Sequence, residues 1–200
     1  MGFLKIFSAG LGGLAMCAGF FGLAISSAFK GTFISPFARI AFYGNIKIGK
    51  NCRISSGCVF RVPKTALLVI GDGCDFREYS QVICREGKTT EFGNNCLVQP
   101  FAFVSDQVKI GEKSILAPHS VVVAARHNFG SISLPVLEQG SKTLPIEIGS
   151  NVWIGTHAII LGPSKIGSDS IIGAGAFVKG NIPEKSVVRG ERKITIEKRR

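Results

Sequence analysis

The sequence predicts an all-β protein, a parallel β-helix of about six coils, and three observations carry that reading. An apolar residue followed at once by glycine occurs at Ile48-Gly49, Ile70-Gly71, Phe92-Gly93, Ile110-Gly111, Ile148-Gly149 and Ile166-Gly167, usually with Asn, Asp or Gly two positions after the glycine. From each start the apolar residue returns every sixth position: 48, 54, 60; 70, 76, 82; without a break from 92 to 122 and from 148 to 178. The starts themselves lie 22, 22, 18, 38 and 18 residues apart. A six-residue period fits neither a helix nor a simple alternating strand, whereas three hexads close one triangular coil with an inward side chain on each face.

Each element follows from that beat. The shortest spacing is one coil, so the others read as coils with additions of four, four, twenty and none. The twenty-residue addition is a long loop over residues 128–147, since Ile132, Leu134, Val136, Leu137 and Leu144 do not keep the period. Long insertions in compact folds are usually functional. Asn, Asp and Gly stand where the corners require positive φ, which they tolerate at low cost. The chain therefore divides into an apolar N-terminal segment (1–40), a hexapeptide-repeat domain (41–190) and a basic C-terminal tail (191–200).

Composition narrows the function classes. Stacked coils with 46% hydrophobic residues bury a sufficient core in one domain. Six cysteines (Cys17, Cys52, Cys58, Cys74, Cys84, Cys96) show no metal-type or redox-type spacing, and several fall on small-residue positions of the repeat. They read as reduced core thiols of a cytosolic protein. The net charge of +11 suits an anionic partner such as a nucleotide-bearing cofactor, an acidic polysaccharide or a phospholipid surface. Nucleic acid fits least well, because the basic residues are scattered and no aromatic-plus-basic motif interrupts the coils. The densest basic cluster, Arg189, Arg192, Lys193, Lys198, Arg199 and Arg200, is either a solvated tail or a binding element.

Residues 6–29 form a 24-residue run without a charge, containing five glycines. Its length is sufficient for a membrane span. Three readings compete: an anchor spanning or lying on the inner membrane, a helical cap closing the β-helix, and a cleaved signal peptide, which six unpaired cysteines disfavour. If the segment spans, the Lys and Arg that follow residue 30 place the domain in the cytoplasm.

Only His119, His127 and His157 could supply an imidazole. His127 opens the long loop, where a neutral ring on a rigid scaffold is suited to accept a hydroxyl proton, although a lone histidine at a corner is as readily structural. Gly155-Thr156 and Gly173-Ala174 lie one coil apart and stack on one edge. Small residues there leave a shallow groove suited to an extended, amide-bearing ligand such as the pantetheine arm of coenzyme A; corner packing alone also explains them. Trp153 stands two residues before Gly155.

The run from Pro145 to Gly155, followed by Ile172-Gly173-Ala174-Gly175-Ala176-Phe177-Val178-Lys179, Ile182-Pro183 and Ser186-Val187-Val188-Arg189-Gly190, resembles the left-handed β-helix hexapeptide acetyltransferases. With His127 and Glu138-Gln139-Gly140 in the loop, the resemblance is strongest to bacterial sugar and polysaccharide O-acetyltransferases, and it covers roughly residues 45–193. It implies a left-handed coil, a homotrimer, and acetyl-CoA lying between coils at the subunit interface. It makes His127 the general base that activates a sugar hydroxyl of capsule, exopolysaccharide or lipopolysaccharide. Trp153 would border the acyl end, with Gly155, Thr156, Gly173, Ala174 and Lys179 along the cofactor and Arg192 and Lys193 at its phosphates. A backbone amide near Thr156 would stabilise the oxyanion, and Asp106 is the candidate for acceptor contact. The chain departs from the family pattern at Gly190-Glu191-Arg192-Lys193-Ile194, which puts the phosphate-end residues in doubt. Two other functions compete: a non-catalytic β-helix scaffold, and a zinc-dependent carbonic anhydrase using His119, His127 and His157. No metal site is expected.

Overall fold

The computed structural model describes residues 4–6 and 31–190. Cys17, most of the 6–29 segment, Arg192 and Lys193 lie outside them, and with them the anchor, cap and phosphate-end expectations. The described chain is all-β, a parallel solenoid of about seven turns with three faces. Asn45–Ile48, Leu67–Ile70, Thr89–Phe92, Val108–Ile110 and Ile146–Ile148 stack as the first face. The second face runs from Phe33–Ile34 through Ile115–Leu116 and Trp153–Ile154 to Val187–Val188. The third runs from Arg39–Phe42 through Phe103–Ser105 to Val121–Val123. The longer strands Ile159–Ile166 and Phe177–Ile182 complete both the third and the first face in the last coils.

The six-residue beat is the inward ladder. Ile54, Phe76, Val98, Leu116, Ile154 and Ile172 of the second face are all fully buried. Phe60, Phe76 and Phe92 contact edge to face through the interior, with centroids 5.0 and 5.1 Å apart. The coil missing from the sequence count precedes the first Ile-Gly start. Ile34, Ile40 and Ile46 keep the six-residue spacing there, but no glycine announces it.

Among the described residues no strand-forming segment is replaced by a helix, and the expected N-terminal helical element has no helical counterpart in them. Leu4–Ile6 is instead a strand, antiparallel to the first strand of the first face with Ile6 opposite Ile46. It covers an edge that would otherwise expose unpaired backbone groups.

Two kinds of corner residue close the coils. Where the first face turns into the second, glycine permits close approach: a Cβ on Gly111 would meet the backbone of Gly149 at 2.5 Å. Asn51, Asn95, Asn151 and Asp169 then adopt positive φ, as the Asn/Asp/Gly pattern requires. The next position carries a small donor that satisfies the coil above. Sγ of Cys52, Cys74 and Cys96 donates to the carbonyls of Gly71, Gly93 and Gly111 at 3.1, 3.0 and 3.2 Å, and the hydroxyl of Ser114 does the same to Gly149 at 3.0 Å. The five described cysteines are free and buried, in keeping with their reading as core thiols. Burial pushes the thiols of Cys58 and Cys84 above their ordinary range.

All the additions to the coil emerge from one corner, between the third and first faces. Residues 63–66 and 84–88 are the two short ones. The long one is a hairpin, in which Ala125–His127 pairs antiparallel with Ser141–Thr143. The coil resumes at Ile146–Ile148 in register with Val108–Ile110, so the 38-residue spacing is one turn and Glu147 already belongs to the coil.

Candidate active site

His127 ends the outgoing strand of the hairpin, directly opposite Ser141, with its side chain exposed. Backbone bonds hold the hairpin base: Leu144 N donates to Ala124 O at 2.6 Å and Asn128 N to Gly140 O at 3.0 Å. Gly162 is required beneath it, because a Cβ there would collide with the carbonyl of Leu144. Gln139 organises the tip. Its Oε1 accepts from Ser131 N at 3.0 Å, and its Nε2 donates to the carbonyls of Ser131 and Leu134, each at 2.8 Å. Arg126 lies over the ring of Phe129 at 4.8 Å. His127 is therefore an accessible imidazole on an ordered strand.

The small-residue edge lies at a different corner, between the second and third faces. Trp153–Ile154 pairs in register with Ile171–Ile172, which places Gly155-Thr156 directly over Gly173-Ala174. A Cβ on Gly155 would meet Ala174 N at 2.6 Å, so only glycine allows this spacing. The amides of Gly155, Gly173 and Gly175 donate to Ile172 O, Val188 O and Thr156 O at 2.7 to 2.8 Å. No backbone bond among the described residues takes up the Thr156 amide. Ala174 is exposed and Thr156 half-buried, while Trp153 projects from the second face and Lys179 from the third.

The strands of the third face run from this edge to the corner that carries His127. Three residues of strand span about 10 Å, beyond the reach of a hydrogen bond. The two halves of the candidate site thus occupy opposite ends of one face in a single protomer.

Asp106 sits in the tight corner below the hairpin with φ of 77° and 2% exposure. Its carboxylate accepts from Arg85 Nη1 at 3.1 Å and from Thr143 Oγ1 at 3.2 Å. The group considered for acceptor contact is thus engaged within the protein.

One element was not anticipated. Tyr79, Phe101, His119 and His157 all adopt positive φ at the edge that carries Thr156, and their rings stack in sequence at 5.3, 4.9 and 4.9 Å, with planes within 12°. His119 is therefore a corner residue, not one on a coil face. The ladder spacings of 22, 18 and 38 residues are those of the Ile-Gly starts, which is the signal that would have found it. His119 and His157 are committed to this stack, away from His127, an arrangement that does not favour a shared zinc site.

Comparison with known proteins places these features in context. The description "bacterial transferase hexapeptide (six repeats)" matches residues 145–180. A probable acetyltransferase of Mycobacterium tuberculosis is 26% identical over 149 residues, covering 74% of this chain and 48% of that protein. The galactoside O-acetyltransferase of Escherichia coli is 36% identical over 84 residues, 42% of this chain and 40% of that one. The chain thus spans about half or less of the length of these curated relatives. Among solved structures, a single-site variant of AntD, an N-acyltransferase from Bacillus cereus in complex with dTDP and coenzyme A, superposes with a TM-score of 0.50 at 25% identity, covering 84% of this chain and 83% of that one.

Proposed function

Because the chain belongs to the hexapeptide-repeat acetyltransferase family, we propose that it transfers an acetyl group from acetyl-CoA to a hydroxyl of a sugar or polysaccharide in capsule, exopolysaccharide or lipopolysaccharide synthesis. The observation that carries this reading is an exposed imidazole on a braced hairpin, one corner away from a stacked edge of small residues. His127 takes the proton of the acceptor hydroxyl. The oxygen then bonds to the acetyl carbon as the carbon–sulfur bond breaks, and the imidazolium returns the proton to the departing thiolate. The Thr156 amide is available for the charge that develops on the carbonyl oxygen. Trp153, Gly155, Gly173, Ala174 and Lys179 bind the cofactor, and Arg192 and Lys193 contribute to its phosphate end. Likeness to the galactoside O-acetyltransferase supports a hydroxyl acceptor, whereas likeness to AntD supports a competing N-acyl reading.

A homotrimer reunites the two halves of the site by bringing His127 of one protomer to the small-residue edge of the next. The outer surfaces support it. Trp153, Ile171 and Val187 on the second face and Ile159 and Phe177 on the third are exposed apolar residues flanking that edge. The first face instead carries ion pairs between Lys109 and Glu91 and between Lys165 and Glu147, each at 3.9 Å. An apolar outer surface on two faces only is the mark of a partner.

The 6–29 segment and the net charge of +11 together suit attachment to the cytoplasmic face of the inner membrane. Among the described residues no helix is long and apolar enough to cross a membrane. Ile6 and Gly31 both lie at the first coil, so residues 7–30 leave and re-enter the same end of the solenoid, which suits a membrane-lying attachment. Full-length protein that stays out of the membrane pellet would leave the cap reading instead.

The cofactor edge is tested by Ala174→Leu. A bulky side chain at this exposed position is expected to raise the Michaelis constant for acetyl-CoA and weaken coenzyme A binding by calorimetry, with the thermal midpoint unchanged. A well-folded variant with wild-type cofactor constants would remove this edge from the site.

A further inference from the structure

The geometry points to Arg85 and Asp106 as a positioning couple for His127, holding the strand that pairs with it in the orientation needed for proton transfer. This inference rests on the reading of His127 as the general base. Arg85 belongs to the short addition at residues 84–88, and Asp106 to the tight corner one coil above it. Neither is near His127 in sequence.

Four contacts join them to the hairpin. Arg85 Nη1 donates to Asp106 Oδ2 at 3.1 Å, and Arg85 Nη2 donates to both the carbonyl and the hydroxyl of Ser141, at 3.2 and 2.9 Å. Thr143 Oγ1 donates to Asp106 Oδ1 at 3.2 Å. Ser141 and Thr143 are the residues that pair with His127 and Ala125 across the hairpin. The carbonyl of Asp106 in turn accepts from the buried hydroxyl of Thr90, which fixes the strained corner to the coil interior. A buried carboxylate, a forked guanidinium and two hydroxyls therefore clamp the returning strand of a hairpin whose tip is otherwise solvent-exposed.

The arrangement exceeds what stability alone asks of a surface hairpin. Buried ion pairs contribute little net stability, and their best-attested value is in fixing one geometry. The planar fork of arginine spans Asp106 and Ser141 at once, a reach that the single ammonium of lysine lacks. General-base catalysis is sensitive to such placement, and a displacement of about 1 Å costs about 10²-fold in rate.

The test compares Arg85→Met, Arg85→Lys and Ser141→Ala in the wild-type and His127→Ala backgrounds, reading kcat, KM for acetyl-CoA and coenzyme A affinity. In the wild-type background Arg85→Met is expected to lower kcat by about 10²-fold with cofactor KM and affinity unchanged. Arg85→Lys is expected to follow it despite the retained charge. In the His127→Ala background the same substitutions should cause no further loss, because residues that act through one group are not additive. A merely structural role would weaken cofactor binding and multiply with His127→Ala. Wild-type kcat in Arg85→Met, or full multiplicative loss in the double variant, overturns the inference. Should Arg85→Met not fold, Ser141→Ala leaves the ion pair intact and is expected to give a smaller kcat loss of the same kind; unchanged kcat there overturns it equally. If His127→Ala alone keeps activity within a few-fold of wild type, the general-base reading itself has failed, whatever Arg85 shows.

Discussion

Replacement of His127 by alanine is expected to give a folded protein that binds coenzyme A normally and turns over about 10²–10⁴-fold more slowly, the range typical of a lost general base. The fold should be indifferent because the hairpin is held by backbone pairing, by Gln139 and by the Arg85 clamp, none of which uses the imidazole. His119→Ala provides the contrast. It removes one ring from the exposed stack between Phe101 and His157 and should cost stability of about 0.5–1.5 kcal/mol, as for a single aromatic contact, with little change in kcat. Steady-state kinetics on both variants decides the matter. Activity in His127→Ala within a few-fold of wild type would mean that another group removes the proton.

The second large effect concerns assembly. Phe177→Glu is expected to convert a trimer into monomers and to abolish measurable transfer. Phe177 is 63% exposed and contributes little to the solenoid interior, so the coil should survive the change. At a subunit interface, however, an unpaired carboxylate is strongly unfavourable, and monomers would leave His127 and the Gly155-Thr156 edge at opposite ends of the third face. Light scattering should read three protomers for the wild type and one for the variant. A wild-type protein that is monomeric and fully active at assay concentration would contradict the shared site.

Much of this architecture was legible because the repeat encodes it directly. The six-residue recurrence from Phe92 to Val122 and from Ile148 to Val178 is the buried ladder, residue by residue. The spacings of the Ile-Gly starts located every addition to the coil. The first coil escaped because Ile34, Ile40 and Ile46 carry the beat without the glycine that marks the others. Positive φ was expected of Gly, Asn and Asp, yet Tyr79, Phe101, His119 and His157 adopt it too. Their backbone cost is offset by stacking on neighbours one coil away, which local preference does not register. The site was legible only in parts. His127 and the Gly155/Gly173 edge could be read from position, but the clamp joins Arg85 to Ser141 across 56 residues. No local pattern announces that contact. Asp106 was visible as a polar residue near the histidine region, but its burial depends on a corner whose course only the fold supplies.

The central claim is acetyl transfer to a sugar hydroxyl, and mass spectrometry of the acceptor tests it most directly. Oligosaccharides representing capsule, exopolysaccharide and lipopolysaccharide are incubated with acetyl-CoA and the full-length protein, then examined before and after mild alkali. The account predicts a gain of one acetyl group on a particular sugar, absent with His127→Ala and removed by alkali, as an ester is. An acetyl group that survives alkali would show transfer to an amine, and a protein that binds no coenzyme A and modifies none of these glycans would contradict the account.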